Sequence, residues 1–65
     1  MRQVWKDWQN EKEGIELVKD CKSNAWEVVL YSMYGHTLSR KNYYSKESAT
    51  SAFYRLAKKE GIKKA

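Results

Sequence analysis

Arg40, Lys41, Tyr43, Tyr44 and Lys46 fall within seven residues, with Tyr31 and Tyr34 shortly before them. Cations interleaved with aromatic rings suit nucleic acid: the cations neutralise phosphates and release counterions, and tyrosines stack on unpaired bases or fill a groove wall. Charge distribution points the same way. Residues 33–65 carry eight Lys/Arg against Glu47 and Glu60, a net +6, whereas residues 1–32 sum to −1. The expected phosphate contacts are Arg40, Lys41 and Lys46, with Tyr43 or Tyr34 as stacking surface and DNA or RNA as partner. A second set of residues points elsewhere. Trp5 and Trp8 lie close to the N-terminus and Tyr54 faces outward on an expected helix; large rings of this kind either close a core or anchor a protein interface. They define the alternative function: a protein-interaction module, acting as a homodimer or as a small phage-encoded inhibitor or modulator of a host protein.

The residue types that carry catalysis are sparse. His36 follows Gly35 in an expected turn with no carboxylate beside it, Cys21 has no base placed to activate it, and no glycine-rich phosphate loop is present. The expectation is a non-enzymatic protein, with His36 a solvated turn residue and Cys21 a small, semi-buried hydrophobe. A lone cysteine forms no intramolecular disulfide, and one cysteine with one histidine does not compose a structural zinc site, so neither metal nor cofactor is expected. No apolar run approaches the roughly 20 residues that cross a bilayer. The opening residues carry acids where a signal peptide would be apolar, so the expected setting is the cytoplasm, away from membranes.

A chain of 65 residues makes one domain, near the size at which a single core just outweighs chain entropy. Residues 1–14 form an arm that fits either a helix or a strand. After Gly14, Ile15, Leu17, Lys19 and Cys21 alternate with Glu16, Val18, Asp20 and Lys22, as in a strand. Lys22, Ser23 and Asn24 are turn formers. Residues 25–33 are rich in β-branched and aromatic types, with Trp26, Val28 and Leu30 on one face and Val29, Tyr31 and Met33 on the other. Gly35 allows the next turn, and residues 37–43 return as a strand with Leu38 inward and Arg40 and Lys41 on opposite faces. Ser45 then caps a helix from Lys46 to about Glu60, whose stripe Ala49, Ala52, Phe53 and Leu56 is spaced for burial. Gly61 ends it in the left-handed conformation, Ile62 folds back on Ala57, and residues 63–65 form a frayed tail. The expected fold is α+β: a three-stranded antiparallel meander, four-stranded if the arm pairs, with one amphipathic C-terminal helix across one face over residues 15–62.

From Ile15 to Lys58, about two thirds of the chain, this succession resembles the small YegP-like domains of bacterial proteins, through Trp26, Gly35, Leu38, Ser39, Tyr44, Ser45, Lys46 and Ala49. The resemblance implies a β-β-β-α unit of a bacterium or phage. Such units usually occur in tandem, and a single copy implies a homodimer in place of the pair. The chain departs from them in its tryptophan-bearing arm and its more basic helix. Its last strands and helix also resemble the final third of a double-stranded-RNA-binding domain, where Lys46 alone fits a phosphate-holding lysine. The arm-site domains of phage integrases share the topology only.

Overall fold

Ile15 and Leu17 in one segment and Trp26, Val28 and Leu30 in the next repeat at a period of two, so each segment turns one apolar edge to the same side when extended. The computed structural model describes residues 2–64 and realises both as strands; Met1 of the N-terminal arm and Ala65 of the expected tail lie outside the described residues. Four strands, β1 (Arg2–Gln9), β2 (Glu13–Asp20), β3 (Ala25–Ser32) and β4 (Thr37–Tyr43), form one antiparallel sheet in chain order, followed by helix α1 (Lys46–Glu60). The arm thus supplies the fourth strand.

Each connection has a local cause. Asn10 Oδ1 accepts from the backbone N–H groups of Lys12 and Glu13 at 2.8 and 2.7 Å and closes the β1–β2 turn. Asp20 accepts from the Lys22 N–H at 3.0 Å and the Ser23 hydroxyl at 3.1 Å, while Asn24 takes the left-handed φ of 56° that completes the β2–β3 turn. The Lys22 N–H, then the Ser23 hydroxyl, hold the Asp20 carboxyl below its ordinary range. Cys21 is therefore the first turn residue and is exposed, where strand alternation would have half-buried it. Gly35 turns β3 into β4 with φ 95°.

The register settles which face is which. Ile15 pairs with Leu30, Leu17 with Val28, and Trp26 with Tyr43, and this side meets the helix. Phe53, Ala49, Ala52 and Ala57 pack down onto it, with Phe53 fully buried. The expected stripe on α1 is turned slightly: Ala57 is buried and Leu56 half-buried at its margin. Ser45 accepts from the Ser48 N–H at 3.2 Å at the helix start. At the end Gly61 is left-handed and the Ile62 N–H bonds the Ala57 carbonyl at 2.8 Å, the 6→1 bond of a Schellman cap.

Two irregularities redirect side chains. The pairing of β1 slips at Trp5, between Val4 opposite Val18 and Lys6 opposite Leu17. Val4 and Trp8, which a regular strand would put on one side, consequently face opposite sides of the sheet, and Trp5 reaches the helix side, its ring 5.3 Å from that of Trp26. In β4, Ser39 lies opposite Leu30 and Thr37 opposite Tyr31, so Ser39 takes the helix side and Leu38 is 51% exposed instead of inward.

Candidate nucleic-acid interface

The period of two sends Arg40 and Lys41 to opposite faces, and the two faces differ in charge. Arg40 stands on the face away from the helix, opposite Val29, with its Nε 3.3 Å from Glu27 Oε1. Arg2 reaches the same carboxylate oxygen at 3.3 Å. Glu16, Asp20 and Asp7 lie on this face by register, so acids outnumber cations there. Its apolar residues Val18 and Val29 are buried beneath neighbouring side chains. Tyr31 lies across Gly14, where any Cβ would collide with its ring, and its hydroxyl donates to Asp7 Oδ1 at 2.8 Å and accepts from Gln9 Nε2 at 3.0 Å. Burial, more than any other influence, pushes the Tyr31 phenol above its ordinary range. The centre of this face is thus covered, while Val4 and Leu38 at its two edges stay exposed.

Lys41 points to the other side, opposite Val28. There β4 and α1 diverge and leave a groove of about 320 Å³ lined by Val28, Ser39, Lys41, Tyr43, Ala52, Arg55, Leu56 and Lys59. The helix supplies Ala52, Arg55, Leu56 and Lys59 because residues spaced three and four apart share a face. The strand supplies Ser39, Lys41 and Tyr43 by its period of two. Lys41, Arg55 and Lys59 meet here without a carboxylate in the lining, and among the described residues none of them forms an ion pair. A shallower depression continues past Tyr43 and Arg55 to Ser48, Ser51 and Glu47, so a negative charge closes that end.

Trp5, Trp8 and Tyr54 occupy the opposite flank of the helix. Trp8 packs edge-on against Phe53 with ring centroids 4.9 Å apart, and Tyr54 lies 5.4 Å from Trp8. Lys6 Nζ sits 5.6 Å from the Tyr54 ring centre and Lys46 Nζ 4.4 Å from that of Trp5. Such contacts each contribute roughly 0.5–1 kcal/mol at exposed sites.

Of the residues expected to contact nucleic acid, the structure therefore brings Lys41 and Tyr43 together. Arg40 lies on the acidic face, Lys46 is stacked on Trp5, and Tyr34 projects from the β3–β4 turn, 90% exposed. Arg55 and Lys59 join Lys41, although helix periodicity and the helix dipole account for them as solvated cations. Their signal was available: both follow Ala52 and Leu56 by three residues, which puts them at the margin of the buried stripe. Among the described residues no three His, Cys, Asp or Glu side chains are grouped to hold a metal, and no helix is long and apolar enough to cross a membrane. Neither family models, nor curated proteins, nor solved structures gave a match to the chain.

Proposed function

We propose that this chain is a non-catalytic binding protein that holds a nucleic-acid backbone along the β4–α1 groove, with Lys41, Arg55 and Lys59 on phosphates. The observation that carries the proposal is the unpaired cation set in a groove without a carboxylate, on a molecule that carries Asp7, Glu16, Asp20 and Glu27 on the other face. Like charges held together without a counterion repel, and an anionic polymer relieves that repulsion while releasing its own counterions. Tyr43, between the groove and its shallow extension, adds an aromatic wall. Non-catalysis is supported by the separation of the reactive side chains: Cys21 and His36 stand in successive turns at opposite ends of β3, about 26 Å apart at 3.3 Å per residue. The resemblance to YegP-like domains supports a bacterial or phage setting, and the unpaired cysteine suits a reducing cytoplasm. The test is titration of a labelled oligonucleotide at several salt concentrations with the protein and with Lys41→Glu/Arg55→Glu. Steeply salt-dependent binding that this pair of changes abolishes supports the proposal, and affinity that survives them refutes it.

A second reading, interaction with a protein or a second copy through Trp5, Trp8 and Tyr54, rests on Val4 and Trp5 at the free edge strand β1, 53% and 46% exposed. Each of the three rings already has a partner within the chain, which favours the first reading. Trp5→Ala/Trp8→Ala separates the two: the second reading requires it to change oligomeric mass or capture of a protein partner.

A further inference from the structure

We infer that the β4–α1 groove takes an unpaired base together with its phosphates, so that the ligand is a single strand rather than a duplex; this rests on the nucleic-acid reading of the same groove. The inference comes from what lies between the cations. Half-buried Leu56 gives the groove apolar surface beside the buried Val28 and Ala52, Tyr43 adds a ring and Ser39 a hydroxyl, while Lys41, Arg55 and Lys59 supply the charge. A surface meeting only phosphates gains nothing from apolar lining, and a duplex keeps its bases stacked and paired inside, presenting two ridges of phosphate. A single strand can turn one base into the groove, cover the half-buried Leu56 side chain, and stack on Tyr43 while adjacent phosphates reach the cations. The size agrees: about 320 Å³ is at the lower end of the roughly 300–1,000 Å³ of small-ligand sites and accommodates one base with its sugar.

The charge pattern also sets direction. Past Tyr43 the depression meets Glu47, which repels a phosphate, so the strand passes along Lys41, Arg55 and Lys59 toward the helix C-terminus.

The test compares three labelled ligands of one mixed sequence of about a dozen nucleotides: the single strand, the same strand annealed to its complement, and the single strand with abasic sites throughout its central half. Each is titrated with the unmodified protein over a salt series. The expected result is single-strand affinity about tenfold or more above that of duplex and abasic ligands, the size of one stacked base. Salt-sensitive binding of equal strength to all three would overturn the base-insertion inference and leave phosphate binding standing. Absence of binding to any of them at low salt would overturn both. A ligand-side change is used because Tyr43 and Leu56 both pack against the core.

Discussion

The two flanks of the helix carry similar raw material and use it differently. On the β1 flank, Trp5, Trp8 and Tyr54 each pack on another ring, and Lys6 and Lys46 lie over two of them. On the β4 flank, Lys41, Arg55 and Lys59 have no carboxylate and no ring of their own to answer them, apart from the wall formed by Tyr43. Rings and cations close together in sequence suggested one mixed surface; in the fold the rings and cations of the β1 flank satisfy one another and those of the β4 flank do not. Partners within the chain, more than residue type, separate a structural cluster from a candidate binding one.

The comparison breaks most severely at the residue beneath the helix. Phe53→Ala empties a fully buried site and should cost about 3–5 kcal/mol, enough in so small a domain to unfold a large fraction of molecules and to remove both flanks together. Urea titration followed by circular dichroism measures it. A smaller, one-sided loss is expected from Trp8→Ala, about 2 kcal/mol because the ring is only half-buried, with nucleic-acid affinity unchanged once folded molecules are counted. The mirror image is Lys41→Glu/Arg55→Glu, both exposed: thermal stability should stay within about 0.5 kcal/mol while nucleic-acid affinity falls tenfold or more. Equal effects of the two variants on binding would erase the distinction between the flanks.

Away from the helix, Gly14→Ala forces the Tyr31 ring off its seat and away from Asp7 and Gln9, at about 1–2 kcal/mol, and leaves the groove untouched. The smallest effect is alkaline. Because the folded Tyr31 phenol ionises above its unfolded value, its contribution is complete below the ordinary tyrosine range and is lost as pH rises through the folded value. Tyr31→Phe should therefore flatten the fall of melting temperature above about pH 10, whereas the Lys41 and Arg55 variants should retain it.

The helix was almost fully legible in the sequence, because its caps are local: Ser45, Gly61 and Ile62 each act within five residues of their partners. The central strands were legible through alternation, and the arm's pairing remained open because a register slip at Trp5 breaks the period that would reveal a strand. Ser39 stands where Leu38 was expected because it alternates in step with Lys41 and Tyr43, and which parity of β4 meets the helix is fixed by pairing with β3. The groove was legible only in part. Lys41 and Tyr43 stood out by composition, but their meeting with Arg55 and Lys59 depends on how the helix lies across the sheet, a long-range packing outcome that no local spacing encodes. Arg40 stood out equally and is held by Glu27, 13 residues earlier in the chain and adjacent only through strand pairing.

The most direct measurement of the central claim is a salt-series titration of one mixed-sequence single strand with the protein and with Lys41→Gln/Arg55→Gln/Lys59→Gln. Three phosphate contacts should give a slope of log affinity against log salt of about −2 in the unmodified protein, and the triple variant should lose most of that slope together with its low-salt affinity. An unchanged slope and affinity in the triple variant would show that the groove is not where nucleic acid binds.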